Sequence, residues 1–381
     1  MYLWDMKFSI KIALIALIGS LCVSCVGGSG SAKVSFDHSI YAPHYATGYE
    51  ILGDEGENRL IRVTRAWQGD AVVEQSLAIF ADEASAKGYD GQYIVGSAER
   101  VVCMSTSHIA MIELLGKADS IVGVSGKQYI MSEAIAGNPA VKDVGYDSSL
   151  DYEALVVLRP DVVLLYGVSA ENTALTAKLR ELHLPYLYLG DYTEPSPLGK
   201  AEWLVAVAEI MGCRTEGEQM FQDIVERYNA VRDGVVRSED SPKVMFNTPY
   251  QEVWYMPSDD SYMVQLLEDA GGTYIYKGKN KTAGSVGISL EEAYMLVSDA
   301  DLWLNVGQCS SLAELRQSAP HFARCAVVVR GDVYNNNARR TASGGSDFWE
   351  SAIVRPDVVL EDMVKIVRGE DSTLYYHHRL K

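Results

Sequence analysis

The distribution of apolar and polar positions changes character along the chain, and each change marks a segment. Residues 10–23 are an almost unbroken apolar run behind Lys7 and Lys11. At about 14 residues the run is short for a bilayer span and has the length and flanks of an export-signal core. From residue 33 to about 93 the pattern becomes short alternation, as in Arg59-Leu60-Ile61-Arg62-Val63, which predicts strands and hairpins. From residue 99 short buried strands alternate with helices: Val101-Val102-Cys103-Met104, a helix over about 108–115, Ile121-Val122-Gly123-Val124, residues 162–166 and residues 185–189. That alternation predicts βαβ units around a parallel sheet. Residues 197–211 and 215–236 read as one helical stretch in two parts, interrupted at Gly212. The second part opens with the capping-box pattern Thr215-Glu216-Gly217-Glu218 and places Phe221, Ile224, Val225, Tyr228, Val231 and Val235 at helical spacing. At 1.5 Å per residue it would reach about 33 Å, enough to connect two lobes. After Pro242 the alternation resumes with Lys243-Val244-Met245-Phe246 and continues to the end.

The two alternating regions resemble each other. Residues 149–167 and 289–307 align over 19 positions without a gap, matching Ser149/Ser289, Leu150/Leu290, Asp161/Asp301, Leu164/Leu304 and Gly167/Gly307. Each reads as a Ser-capped helix opening with acids, then Asp, a buried strand and Gly. A duplicated lobe and a chance likeness of two helix–strand units are the alternatives. The expected fold is therefore α/β: two similar α/β lobes joined by a long backbone helix, with an N-terminal β-hairpin segment. The expected divisions are a signal peptide at 1–25, a linker and β-rich segment at 26–98, lobes at 99–196 and 242–381, and connecting helices at 197–241. A cleft between two such lobes is where a ligand commonly binds.

Composition narrows the function. The 381 residues carry 33 basic and 51 acidic side chains, a formal charge of −18, which excludes a broad attraction to nucleic-acid phosphates. With 48% hydrophobic and 22% charged residues the chain is that of a folded protein, and 23 Tyr against 7 Phe give a surplus of rings with polar tips. No GxGxxG follows a strand, and no Walker, HExxH or GxSxG sequence is present. Cys103, Cys213, Cys309 and Cys325 show no metal-ligand spacing. Cys103 is expected in the core, and a Cys309–Cys325 bridge is left open. Of seven histidines only His377 and His378 are adjacent, and they are expected to be a frayed polar terminus rather than a metal site. His108, at a helix start, is expected to be capped or half-buried.

Residues 100–108, Arg-Val-Val-Cys-Met-Ser-Thr-Ser-His, followed by Leu114-Leu115-Gly116 and Ile121-Val122-Gly123-Val124-Ser125, resemble the first lobe of class III periplasmic binding proteins. These are the helical-backbone solute receptors of ABC importers for cobalamin, haem and ferric siderophores. Asp143-Val144-Gly145, the Arg159-Pro160-Asp161 ending, Asp269-Ala270-Gly271-Gly272 and Gly331-Asp332-Val333-Tyr334 extend the resemblance over about 99–367. Pro197-Leu198-Gly199-Lys200-Ala201-Glu202-Trp203 and Gly344-Gly345-Ser346-Asp347-Phe348-Trp349-Glu350 are similar to the branch found in Bacteroidota lipoproteins. The leading β-rich segment lies outside the common pattern.

The resemblance implies a receptor without catalytic residues, cofactor or resident metal, a monomer that passes a metal chelate to an ABC permease and its ATPase. Cobalamin or another corrinoid is ranked ahead of haem and ferric siderophore. Such ligands need aromatic faces and a few rim donors, supplied by loops after parallel strands. The expected ligand-binding residues are Tyr129, Tyr146, Tyr166, Trp254, Tyr255 and Trp349, with Arg339 and Arg340 available to hold carboxylates through forked hydrogen bonds. In the family one Glu per lobe docks to permease arginines. Glu153 matches the first by its spacing to Arg159-Pro160-Asp161. Glu291 and Glu292 compete for the second, because that helix is about one residue longer than usual, while the internal repeat sets Glu291 opposite Asp151. Leu21-Cys22-Val23-Ser24-Cys25, followed by Gly- and Ser-rich residues, resembles a bacterial lipoprotein signal, with Cys25 preferred over Cys22 for lipidation because small Ser24 precedes it. That places the chain in the cell envelope, lipid-anchored and facing the periplasm, with membrane contact only through the anchor. The alternative is a chelatase-like enzyme or metal-cofactor chaperone of similar two-lobed architecture.

Overall fold

The alternating residues between 38 and 95 build a five-stranded sheet rather than separate hairpins. In the computed structural model, which describes residues 34–68, 74–168, 170–237, 240–279, 284–370 and 372–381, β1 (His38–Tyr41), β2 (Tyr49–Gly53), β3 (Arg59–Val63) and β4 (Gln75–Phe80) pair antiparallel in sequence order, and β5 (Tyr93–Val95) joins β4 parallel. The register sets Ile51, Ile61 and Leu77 side by side, all fully buried against the main core. The opposite face is closed by Phe36, Tyr89 and Tyr93 around Phe80. The expected signal segment and Cys25, the residue expected to be lipidated, lie outside the described residues.

The first lobe contains β6 (Val101–Cys103), α1 (Thr106–Leu114), β7 (Ile121–Val124), α2 (Glu133–Ala136), β8 (Lys142–Asp143), α3 (Tyr152–Leu158), β9 (Val162–Tyr166), α4 (Thr173–Glu181) and β10 (Tyr186–Leu189). All five strands are parallel, in the order β10-β9-β6-β7-β8, so continuous apolar runs such as Val162 to Leu165 are buried on both faces. The connections leave β6 in one direction and β9 in the other. A crevice therefore opens between the carboxyl ends of those two strands.

Two helices lead out of this lobe. In α5 (Pro197–Ile210) Ser196 caps the first turn by accepting from the Gly199 N–H, and nearly every side chain is buried. The helix stops at Gly212, whose φ of 68° is the left-handed conformation that glycine adopts without strain. In α6 (Arg214–Asp233), Phe221, Ile224, Val225 and Tyr228 form the buried stripe expected from their spacing. Its start corrects the capping-box assignment: the cap position is Cys213, without a side-chain hydrogen bond, and Thr215 is already inside the helix.

The second lobe comprises β11 (Lys243–Phe246), β12 (Trp254–Met256), α7 (Tyr262–Asp269), β13 (Thr273–Tyr274), β14 (Val286–Ile288), α8 (Leu290–Asp299), β15 (Leu302–Leu304), α9 (Leu312–Ser318), α10 (Ala326–Arg330), β16 (Val333–Asn335), α11 (Pro356–Arg368) and β17 (His378–Arg379). Its sheet order is β13-β11-β15-β16-β17, with only β17 antiparallel, and β12 and β14 form a separate antiparallel ladder. The order β7-β6-β9-β10 in one lobe is reproduced by β13-β11-β15-β16 in the other. Asp161 and Asp301 occupy equivalent places, each accepting backbone N–H groups from the start of the central strand, Glu99 and Arg100 in one case and Lys243 in the other.

The helix ahead of each of these strands follows a different register. Asp151, not Ser149, caps α3 by accepting from the Ala154 N–H, while Ser289 caps α8. Asp151 thus corresponds to Ser289, and Glu291 to Glu153, each two residues past its cap. The gapless alignment fails here because the cap-to-Asp spacing is two residues longer in the second lobe. The question left open for Cys309 and Cys325 is answered: they are unpaired, facing the hydroxyls of Ser318 and Ser298. Two further expectations are corrected. His377 and His378 are not frayed: His377 is buried with Nδ1 3.2 Å from Asp362, and His378 Nε2 lies 2.7 Å from the Asn337 side chain, on the strand that closes the sheet edge. His108 is completely buried rather than half-buried. No helix among the described residues is long and apolar enough to cross a membrane.

Candidate functional site

The carboxyl ends of the central strands in both lobes open onto a common cleft. After β6 the chain turns through Ser105, which caps α1, so that Ser105, Thr106 and Ser107 face the cleft. Tyr166 ends β9, and after β10 come Asp191 and Tyr192. From the second lobe, Asn247 follows β11 and Asn305 follows β15, both at positive φ (70° and 61°), a conformation asparagine tolerates better than most side chains. These ends line two adjoining cavities. A mostly apolar one of about 270 Å³ is walled by Tyr166, Tyr192, Tyr262, Phe348 and Trp349 with Lys200 among them. A more polar one of about 800 Å³ carries Asn247, Asn305, Gln308 and Asn336. Tyr192, Tyr262 and Trp349 belong to both.

Lys200 is held at the junction. Its ammonium donates to the Asp191 carbonyl oxygen at 2.8 Å and lies 4.7 Å from the Tyr262 ring centre and 5.8 Å from that of Tyr192. Burial lowers its pKa, against the pull of Asp191 and Glu194. Burial also opposes the charge on Asp191, but His108, with Nε2 3.7 Å away, and Lys200 outweigh it and hold that carboxyl below its usual range. Tyr262 is shifted upward by burial, and Tyr166 upward by burial with Asp147 nearby, so both hydroxyls stay protonated donors at neutral pH. Among the described residues no cluster of three or more His, Cys, Asp or Glu side chains is arranged to hold a metal ion.

The lobes are tied at one end of the cleft. Glu350, buried on the second lobe, accepts the N–H groups of Met131 (2.8 Å) and Ser132 (2.7 Å) on the first, and the Thr106 hydroxyl donates to the Trp349 carbonyl oxygen at 2.9 Å. Gly345 sits so close to the Tyr129 backbone that a Cβ there would overlap its carbonyl oxygen. The Gly344-to-Glu350 motif is thereby a lobe-to-lobe contact.

Of the ligand-binding residues expected from sequence, Tyr166 and Trp349 line the cavities, Trp349 with 55% of its surface exposed. Trp254 is a correction: it is fully buried, its indole donates to the Phe246 carbonyl oxygen at 2.9 Å, and it packs on Trp303 and Phe322. Arg339 is another, since its guanidinium pairs with Asp347 at 2.7 Å and lies over the Tyr375 ring, away from both cavities. Tyr129, Tyr146, Tyr255 and Arg340 are exposed but line neither cavity. Glu153, Glu291 and Glu292 are exposed on the first turns of α3 and α8. Sequence reasoning missed Tyr192, Tyr262 and Lys200. Tyr192 obeys the same rule that selected Tyr166, following a buried strand, whereas Tyr262 and Lys200 lie in the first turns of helices, which that rule does not search.

Two parallel-sheet lobes of matching strand order, facing each other across a cleft lined by rings from both, define a two-lobed solute-binding fold. The chain belongs to the periplasmic binding protein family, whose model matches residues 101–335. It is 25% identical over 284 residues to an uncharacterized lipoprotein of Methanocaldococcus jannaschii, an alignment covering 71% of this chain and 65% of that one. In solved structures the fold matches a periplasmic binding protein from Veillonella parvula (TM-score 0.59, 14% identity, 82% of this chain and 99% of that one). It also matches the periplasmic vitamin B12 binding protein of Vibrio cholerae (TM-score 0.51, 14% identity, 72% and 99%).

Proposed function

We propose that this protein is the solute receptor of an ABC importer, lipid-anchored at Cys25 in the cell envelope, that captures a metal chelate between its lobes and hands it to the permease unchanged. The observation that carries this reading is the convergence of Tyr166, Tyr192, Tyr262 and Trp349, from both lobes, on adjoining cavities of about 270 and 800 Å³. Rings contributed by both lobes suit capture of a large, flat, partly apolar ligand. Within that class a corrinoid ranks first. Its peripheral carboxamides match the amides of Asn247, Asn305, Gln308 and Asn336. Glu153 and Glu291, matched by their distance from the helix caps, are the permease-docking pair, with Glu292 beside the second.

The described unit, Val34–Lys381, is compact by itself, so the soluble chain 26–381 is the reagent of choice. Titrated with cobalamin, haemin and a ferric siderophore and followed by tryptophan fluorescence and the ligand's visible spectrum, it should saturate one-to-one with one of them and release it unaltered. Tyr166→Ala and Trp349→Ala should each weaken that binding about tenfold, the loss of about 1–2 kcal/mol of ring contact. Binding to none of the three, or chemical change of the bound compound, would refute the reading.

A further inference from the structure

The five-stranded sheet of residues 38–95 precedes the family match, which begins at residue 101, yet it is built into the cleft. Two buried carboxylates fix it to the first lobe. Glu202 accepts from the Tyr41 hydroxyl and from the N–H groups of His44, Tyr45 and Ala46 at 2.6–2.8 Å. Glu194 accepts from the N–H groups of Thr47 and Gly48 and from the Trp203 indole at 2.9–3.0 Å. The Tyr49 ring completes the attachment, 4.7 Å from Trp203. The loop leaving β3 is then laid across the ends of β9 and β10. Thr64 and Arg65 donate to the Gly48 carbonyl oxygen, Gln68 N–H donates to the Val168 carbonyl oxygen at 3.0 Å, and the Trp67 ring stands edge-on to Tyr188 at 5.6 Å. Gly190 is needed beneath it, because a Cβ there would overlap the Arg65 carbonyl oxygen.

Arg65, Trp67 and Gln68 consequently line the larger cavity opposite Asn247 and Asn305. The Arg65 side chain is exposed and makes no ion pair or hydrogen bond among the described residues. The carboxylate nearest in sequence order on that wall, Glu194, is already engaged by Thr47, Gly48 and Trp203, and the opposing wall adds only Asp260. In a chain of net charge −18, an unengaged guanidinium over a ligand-sized cavity is suited to receive an anion.

Resting on the receptor reading above, we propose that the leading sheet is a third wall of the ligand cleft: Trp67 packs on the ligand and Arg65 holds an anionic group, carboxylate or phosphate, on its rim.

The test uses chain 26–381 with two kinds of probe, the three chelates named above and the anionic aryl dye 8-anilinonaphthalene-1-sulfonate, which presents the proposed chemistry whatever the natural cargo. Arg65→Gln and Trp67→Ala should weaken binding of the dye, and of whichever chelate binds, at least tenfold, and the Arg65 effect should shrink with added salt. Arg316→Gln, on exposed α9, is the matched charge change and should have no effect. Trp67→Phe, which retains packing on Tyr188, separates ligand contact from folding, and thermal unfolding of every variant is recorded. For a corrinoid, cobalamin compared with cobinamide tells a phosphate from other anions, since cobinamide lacks the nucleotide phosphate, and for haemin the dimethyl ester tests the carboxylates. If Arg65→Gln and Trp67→Ala bind dye and chelate as the unsubstituted chain does, the third wall is wrong while the receptor reading stands. If dye binding depends on both residues but no chelate binds, the wall stands and the chelate reading falls. If the unsubstituted chain takes up neither dye nor chelate, both fall.

Discussion

Single carboxylates carry much of the architecture described here, each in a different way. Glu202 is fully buried and receives four donors from the leading segment. Replacing it by Ala leaves three backbone N–H groups without a partner, a loss of about 3 kcal/mol or more. Chemical denaturation should show that loss, and limited proteolysis should cut within residues 34–98 before the lobes are touched. Glu350 works across the cleft instead. Burial, with Asp347 and Glu113 adding to it, outweighs the Met131 and Ser132 N–H donors and raises its pKa from 4.5 to about 7. The folded protein therefore holds this proton more tightly than the unfolded chain, so its contribution is complete below pH 4.5 and is lost as pH rises through 7. The amount is about 3 kcal/mol. Unfolding of the unsubstituted chain and of Glu350→Gln, compared between pH 5 and 8, should show the former losing stability relative to the latter as pH rises. A difference constant with pH would remove Glu350 from the account.

At the level of elements, what the sequence disclosed and what it concealed divide along one physical line. Strands such as Val162 to Tyr166 and the buried stripe of α6 follow local periodicity and are legible. The two-residue excess between the α8 cap and Asp301 is not, because a gapless match anchored on the strands carries the wrong register into the helices. Corrected, that register gives Glu153 and Glu291 the same position and leaves the same apolar surface beside each: Val156 and Val157 in α3, Tyr294 and Met295 in α8, all exposed. An acid flanked by apolar side chains three and four residues on is one patch of a helix face. Changing both acids to Gln should leave ligand affinity intact and lower permease-dependent uptake about tenfold, given the size of charge-pair couplings across interfaces. Uptake by vesicles containing the transporter would decide it. Trp254 shows the opposite limit. Its place after a strand suggested a loop, but it lies in β12, whose partner β14 is 30 residues further on, and its ring is buried against Trp303 and Phe322. The salt bridge that engages Arg339 was equally invisible, since proximity to Asp347 depends on how the intervening Gly-rich loop folds back.

For the whole molecule, the cross-ties between lobes restrict what binding can do to its shape. Glu350 joins the loop of Met131 and Ser132, and the Thr106 hydroxyl reaches the Trp349 carbonyl oxygen. Opening would have to break these contacts along with the continuous packing of α5. Small-angle scattering with and without ligand should give radii of gyration within about 1 Å of each other, the scale of pre-organised complexes. A larger compaction would mean that the ties release. The attachment of the leading sheet has a consequence in time rather than space. Tyr41 to Gly48 wait for Glu194 and Glu202, well over a hundred residues later in synthesis. The strands of this sheet can pair with one another as they emerge, but the sheet can dock on the first lobe only after the middle of the protein has been made.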